Sequence, residues 1–130
     1  MVRVRAVQAA LLACAIGFAS GTASAQGCKT LVASVGDART MLLRAANEAA
    51  FEEAKNQALR AKNALDEAAL SSMNCHCQGA SSEFDTAALR ARRARDAYST
   101  NEYVASLDAA IQAFNSAIGE LQSCAAQRAP

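Results

Sequence analysis

The sequence predicts an all-α protein: an antiparallel up-and-down four-helix bundle, built from two αα-hairpins and stapled by disulfides. Three observations lead to this fold class. The 130-residue chain is rich in alanine and has a single proline at its last position, so helix breakers are scarce. Apolar residues recur at steps of three and four, the period of a packed helix. Finally, two cysteine pairs, Cys28 with Cys75 and Cys77 with Cys124, each span 47 positions and divide the chain into equal halves.

The first element, residues 1–25, is typical of a cleaved secretory signal peptide. Arg3 and Arg5 precede an apolar stretch over residues 6–19. Ala23-Ser24-Ala25 then supplies the small-x-small pattern of a signal peptidase site. We therefore expect a bacterial protein that is periplasmic or secreted after removal of this leader.

The alternative is that the leader directs lipidation of the chain. Leu11-Leu12-Ala13-Cys14 is similar to a bacterial lipobox, and its use would leave the mature protein lipid-anchored through Cys14. Either route removes the fifth cysteine, so an even number remains for pairing. Export also brings the chain into an oxidising compartment, where thiols persist as disulfides.

The remaining residues, 26–130, make one helical domain. Arg3 and Arg5 leave with the leader, so this part carries 11 of the 13 basic residues against 12 acidic ones. A near-neutral balance gives no general attraction to nucleic acid or to anionic lipid. No further apolar run approaches the roughly 20 residues that a transmembrane span needs.

Two helices are predicted in the first half, at about residues 30–47 and 50–73. The first follows the stripe Leu31, Val35, Ala38, Leu42, Ala45 and Ala49. Continuing that phase would bury Glu52 and Asn56, so a second helix in a new phase starts near Phe51. Its stripe is Phe51, Ala54, Ala58, Ala61, Leu65 and Ala68.

The second half repeats this plan, with helices predicted at about residues 82–98 and 101–125. A loop over residues 71–82, which contain several serines and Gly79, separates the halves. The third stripe is Phe84, Ala87, Ala91, Ala94 and Tyr98. The fourth stripe is Val104, Leu107, Ile111, Phe114, Ile118, Leu121 and Ala125.

A capping box marks the start of the fourth helix, with Ser99 as the N-cap and Glu102 three residues later. Tyr98 and Tyr103 flank this box. We expect both rings to be half-buried in the seam with their hydroxyls in water. The alternative is that they contribute to a recognition surface at this tip.

A long two-helix hairpin is the alternative architecture, in which the phase changes are stutters of continuous helices. Cys28 and Cys124 would then lie far from Cys75 and Cys77. The phase breaks fall at matching places in the two halves, and this coincidence favours the four-helix bundle.

The four cysteines permit three pairings. If each half is a hairpin, Cys28 meets Cys75 and Cys77 meets Cys124, and each bond clamps the open end of its hairpin. The crossed pairing closes loops of similar size, so chain entropy does not separate the two. A bond between Cys75 and Cys77 would close a small strained ring. Proximity favours the two hairpin clamps.

A metal site is the alternative role for the cysteine end. Cys75, His76 and Cys77 offer two thiolates and an imidazole, which suit Zn(II) or Cu(I). Zinc motifs, however, usually space their cysteines more widely, and disulfide formation competes for the same sulfurs. Structural disulfides are therefore the favoured interpretation, with no cofactor.

Four arginines, Arg90, Arg92, Arg93 and Arg95, crowd the third predicted helix. One interpretation is a solvated face that also pairs with acidic helix surface at Glu52, Glu53, Asp66 or Glu67. The other is a docking patch for an acidic partner or for lipid head groups. A nucleic-acid partner is not expected, because no aromatic residues are interleaved for base stacking.

Nothing in the chain is typical of an enzyme. His76 is the sole histidine, no glycine-rich phosphate loop is present, and the carboxylates lie singly on polar faces. We therefore predict no catalytic residues. The favoured function is a non-enzymatic protein-interaction module, such as an inhibitor, an immunity-type protein or an envelope adaptor. A periplasmic metal-binding protein that uses the Cys-His-Cys end is the alternative.

Overall fold

The structure, a computed structural model, describes residues 28–128 of the chain, and every regular element in this range is helical. The four helices are α1 (Lys29–Asn47), α2 (Phe51–Asn74), α3 (Gln78–Arg95) and α4 (Thr100–Arg128). The predicted leader and the alternative lipidation site at Cys14 lie outside the described residues.

Helices that are adjacent in the sequence pack side by side. The connections between them are only three or four residues long, so each helix runs antiparallel to the one before it. α1 and α4 approach each other closely at few places. This arrangement confirms the predicted four-helix bundle and excludes the two-helix hairpin.

The buried faces of the two central helices are made mainly of alanine. On α2 and α3 these buried alanines are Ala54, Ala58, Ala61, Ala68, Ala69, Ala80, Ala87, Ala88, Ala91 and Ala94. Methyl groups project little from a helix, so the backbones of neighbouring helices come close. The outer helices carry most of the large buried side chains, namely Leu31 and Leu42 on α1 and Tyr103, Leu107, Phe114 and Leu121 on α4. The Tyr103 hydroxyl reaches backbone carbonyls of α1 and α2, and the Phe114 ring packs edge-on against that of Phe84 on α3.

The predicted loop over residues 71–82 is wrong, because only Cys75–Cys77 separate α2 from α3. The serines of this segment lie in helices, and two of them make hydrogen bonds between helices. The Ser71 hydroxyl lies 3.1 Å from that of Ser34 on α1, and the Ser81 hydroxyl donates to the Ala69 carbonyl at 2.9 Å. Serine is nearly as small as alanine, so it fits the same close contacts when its hydroxyl has a partner.

The predicted end of the third helix at residue 98 is also wrong, since α3 ends at Arg95. The capping box that follows it is confirmed. The Glu102 N–H donates to the Ser99 hydroxyl at 3.2 Å, which satisfies one of the free donors at the start of α4. The Glu102 carboxylate accepts from the N–H of Tyr98 at 2.6 Å, one residue earlier than the usual partner.

Candidate functional site

Both disulfides lie at one end of the bundle, which we call the cysteine end. They join Cys28 to Cys75 and Cys77 to Cys124, with Cα atoms 4.8 and 5.8 Å apart. This is the hairpin-clamp pairing that proximity favoured. In each bond, one cysteine is the N-cap of a helix and the other lies at or near a helix C-terminus. Each bond therefore closes the open end of one hairpin.

The three residues of the Cys-His-Cys segment do not share one site. Cys75 and Cys77 belong to different disulfides, so neither sulfur is a thiolate. The His76 backbone has a φ of 62°, which turns the chain sharply between α2 and α3, and its side chain is exposed. Within residues 28–128, no group of three or more His, Cys, Asp or Glu side chains is arranged to hold a metal ion.

A small open depression, which we call the Cys77 depression, lies beside the second disulfide. Its volume is about 140 Å³, and its lining is His76, Cys77, Gln78, Gly79, Ala80, Glu120, Ser123 and Cys124. Glu120 lies directly over Gly79, so that a Cβ at that position would run into its carboxylate. The depression thus combines a disulfide, the N-terminus of α3 and one carboxylate.

Sequence analysis missed Glu120 and Gly79 as members of this surface. The signal that places them together is the second cysteine pair, because Gly79 and Glu120 lie two residues after Cys77 and four before Cys124. Residues next to the two ends of a disulfide must be neighbours in space.

The arginine run is divided by the structure into two half-buried and two exposed residues. Arg90 and Arg95 are half-buried, whereas Arg92 and Arg93 are exposed. Neither Arg92 nor Arg93 forms an ion pair with another described residue. The free cationic groups of the run are therefore on the outer surface of the last turn of α3.

The predicted pairing of this run with the acidic surface of α2 is wrong. Arg95 binds its neighbour Asp96 instead, with Nε 2.8 Å from a carboxylate oxygen. Residues of α2 form their own pairs: Lys55 with Glu52 and Lys62 with Asp66. Partners within a turn of one helix are already close, so they are preferred over partners on a neighbouring helix.

The hydrogen bond from Arg95 holds the pKa of Asp96 below its ordinary value, and the charges of Arg92 and Lys55 act in the same direction. Asp96 therefore keeps its negative charge to a lower pH than a free aspartate does. The end of α3 therefore carries exposed arginines, and Asp96 neutralises the charge of one residue of the run, Arg95.

Tyr98 lies in the connection between α3 and α4, at the end of the bundle away from the disulfides. Its predicted place in the buried seam is wrong, because 94% of its surface is exposed. The helix ends three residues earlier, and Ala97 enters the core in its place. The backbone before Tyr98 is held by hydrogen bonds from the N–H groups of Asp96 and Ala97 to carbonyls in the last turn of α3, and the capping box holds the backbone after it.

Tyr103 is the opposite case, since it is fully buried although a half-buried ring was predicted. Its hydroxyl lies 2.9 Å from the carbonyl oxygens of both Ala45 and Ala54. The Ala45 carbonyl is one of the last in α1 and has no acceptor role within that helix. Tyr103 therefore ties the end of α1 to the first turn of α2. Burial raises the pKa of this phenol, and the charge of Glu48 adds to the effect.

Two polar side chains on one side of α4 were not singled out from the sequence. Asp108 and Asn115 are seven residues apart, so they share a face. The Oδ1 atom of each is buried and has no hydrogen-bond partner among the described residues. Burial raises the pKa of Asp108. A signal was available, because Asp108 directly follows Leu107 and Asn115 directly follows Phe114, so both residues border the apolar stripe.

Within the described range, none of the helices combines the length and the apolar character that a membrane span requires. The disulfides are compatible with an oxidising extracellular or periplasmic compartment. No protein-family model matches this chain, and searches of curated proteins and of solved structures found no significant match.

Proposed function

We propose that this protein is a small exported, non-enzymatic interaction module that docks onto an acidic surface of a partner protein. Inhibitors, immunity-type proteins and envelope adaptors work in this way. Its docking surface, which we call the Tyr98 tip, consists of Tyr98 with Arg92 and Arg93. The observation that carries the proposal is the 94% exposure of Tyr98 on a loop with a fixed backbone.

The residue types at this tip are those found at the centres of protein–protein interfaces. Tyrosine and arginine are enriched among the residues that contribute most to protein–protein affinity. A large aromatic ring held in water contributes nothing to the packing of the bundle. On a partner, the same ring can bury its face while its hydroxyl finds a hydrogen bond.

Preorganisation supports the same conclusion. The Glu102 carboxylate fixes the N–H of Tyr98, and the neighbouring Ala97 is only 1% exposed and anchors the loop in the core. Binding would therefore order a side chain and not a whole loop, so little conformational entropy is lost. The disulfides at the cysteine end also reduce the entropy that is lost on binding, because they limit opening of both hairpins.

Charge defines the class of partner. Arg92 and Arg93 are exposed and have no ion-pair partner in the described part of the chain. Such cations attract an acidic surface over about a Debye length and increase the rate of association at low salt. The predicted secretory leader, together with disulfides that are compatible with an oxidising compartment, supports a partner outside the cytoplasm.

The experiment is affinity capture from an extract of the source organism's cell envelope, with three forms of the mature protein immobilised in parallel. One is wild type, one carries Tyr98→Ser, Arg92→Ser and Arg93→Ser, and the control carries Leu70→Ser. Leu70 is also an exposed apolar residue, at 62%, but it lies on α2 near the cysteine end.

We expect one protein to be retained by wild type and by the control and lost by the tip variant. Removing an interface centre typically costs 2 kcal/mol or more, about a 30-fold increase in Kd. Equal retention by the tip variant would place the docking surface elsewhere. A partner that is retained equally at low and high salt would contradict the acidic surface.

A further inference from the structure

We propose that the Cys77–Cys124 disulfide is a site of thiol–disulfide exchange, at which the thiolate of a small-molecule thiol attacks Cys124 and Cys77 leaves. This inference concerns the cysteine end and does not depend on docking at the Tyr98 tip. It separates the two disulfides, which have equal sequence spans, into one exchangeable bond and one purely structural bond.

Access is the first argument. The Cys77–Cys124 disulfide lines the open Cys77 depression. Cys28 of the other bond is also partly exposed, but attack there would make Cys75, at the carbonyl end of α2, the leaving group. Within the Cys77–Cys124 bond, Cys77 is buried at 6% exposure and Cys124 is partly exposed. An external thiolate that enters the depression therefore reaches the sulfur of Cys124 first.

The identity of the leaving group is the second argument. Cys77 is the N-cap of α3, and no side chain caps that helix. The first N–H groups of α3, those of Gln78, Gly79 and Ala80, donate to no described acceptor. A thiolate at a helix N-terminus is stabilised by such donors and by the helix dipole, which lowers its pKa. Thiols of lower pKa leave faster in exchange.

Cys124 has the opposite setting. It lies one turn before Arg128, the last residue of α4, where the carbonyl end of the helix disfavours a negative charge. The exposure of Cys124 and the stability of the Cys77 thiolate therefore both favour attack at Cys124 with Cys77 as the leaving group.

The step balances with one external thiol. The thiolate attacks the Sγ atom of Cys124, a new sulfur–sulfur bond forms there, and the bond to Cys77 breaks. Its electron pair remains on the Cys77 sulfur as a thiolate, and the proton of the incoming thiol goes to solvent. A second thiol molecule then attacks the mixed disulfide, which gives the oxidised thiol and two reduced cysteines.

The Glu120 carboxylate modulates this step. It lies over Gly79, next to the N-cap position, where its negative charge opposes both the approach of a thiolate and the formation of another at Cys77. Its removal should therefore accelerate exchange at this bond alone.

The test uses the oxidised, folded protein with reduced glutathione in native buffer. Acid quenching, alkylation of free thiols and mass spectrometry of the peptides report which cysteine carries which group. Far-UV circular dichroism records whether the helices persist. The variants are Glu120→Gln and, as a matched exposed acid on α2, Glu67→Gln.

We expect glutathione on Cys124 and the alkylating label on Cys77, formed about tenfold faster than any modification of Cys28 or Cys75, while the helices persist. Tenfold in rate corresponds to about 1.4 kcal/mol in activation free energy. Glu120→Gln should accelerate the reaction about two- to fivefold, the range of a charge at a helix terminus, and Glu67→Gln should not.

Three results would overturn the proposal. The first is glutathione on Cys77 in preference to Cys124. The second is equal rates at the two disulfides, which would mean that reduction follows global unfolding. The third is equal rates for Glu120→Gln and Glu67→Gln, which would remove the role of the α3 N-terminus.

Discussion

The two hairpins of the bundle share one plan and differ in where they carry their large side chains. When they are aligned on their first cysteines, buried positions coincide along both helices. Leu42 of α1 then matches Ala91 of α3, whereas Ala58 of α2 matches Leu107 of α4, and all four are fully buried. The first hairpin thus places its bulk on its first helix, and the second hairpin on its second.

This reversal distributes the large core residues unevenly along the chain. α1 and α4 carry most of the large buried side chains, α2 adds Leu65, and α3 adds Phe84. The two alanine-rich helices are consecutive, and α2 packs against α3 about as extensively as the other neighbouring helices pack against each other. The larger core residues thus lie mainly on the first and last helices of the chain. The halves are therefore complementary, and a bundle of two identical hairpins would not pack in this way.

Exchange of corresponding core residues should break this relation and has the largest expected effect. In Leu42→Ala, a cavity forms in a fully buried site, which costs about 2–5 kcal/mol. In Ala91→Leu, a larger side chain enters a close helix contact, which costs about 1–3 kcal/mol. The double variant keeps the total volume but should lose roughly the sum. Urea unfolding at equilibrium measures each free energy.

The control for this exchange is a second pair of corresponding positions, Leu89→Thr with Thr40→Leu. Leu89 is 45% exposed, and Thr40 is half-buried. Because neither residue is in the core, the control should stay within about 0.5 kcal/mol of wild type. A core exchange that is as neutral as this control would mean that the two hairpins are interchangeable.

The hairpins also differ in a buried polar side chain. Tyr103 of α4 corresponds to Ala54 of α2, and its hydroxyl binds the carbonyls of Ala45 and Ala54 in the other hairpin. Tyr103→Phe keeps the ring but leaves the Ala45 carbonyl without this donor. We expect a loss of about 1–3 kcal/mol in the free energy of unfolding.

The same residue should make the protein sensitive to alkali. In the unfolded chain a tyrosine ionises near pH 10, whereas burial raises the pKa of Tyr103 in the fold. Above about pH 10 the unfolded state binds fewer protons, so stability falls as pH rises, by at most about 1.4 kcal/mol per pH unit. Urea unfolding at pH 9, 10 and 11 should reveal this slope in wild type and in Tyr98→Phe. A slope that persists in Tyr103→Phe would assign the sensitivity to other groups.

The general plan of the fold could be predicted because it depends on the spacing of apolar residues and cysteines along the chain. Apolar steps of three and four define the helices, and equal cysteine spans define the hairpins. A change of phase near Phe51 marks a turn, although no glycine or proline is present there. These signals depend only on the position of residues along the chain, which a single sequence contains in full.

The candidate site was less predictable because it depends on where helices end and which side chains meet. Tyr98 and Tyr103 flank the same capping box, yet one is 94% exposed and the other is fully buried. The end of α3 at Arg95 decides this difference, and a shift of three residues reverses the burial of Tyr98. The helical placement of Ser71 and Ser81 was likewise not predictable, because the hydrogen-bond partners of their hydroxyls lie on other helices.

The smallest expected effect tests whether the outer faces of the two hairpins are equally open. Gly36 lies inside α1 and Gly119 inside α4, and a Cβ added at either position meets no atom within 4 Å. Each glycine loses more backbone entropy on folding than alanine does, so Gly36→Ala and Gly119→Ala should each raise the free energy of unfolding by about 0.5–1 kcal/mol. Gly79→Ala should gain less, because the Glu120 side chain must move away. A loss of stability in Gly36→Ala, measured by urea unfolding, would mean that the outer face of α1 is covered in solution while that of α4 is not.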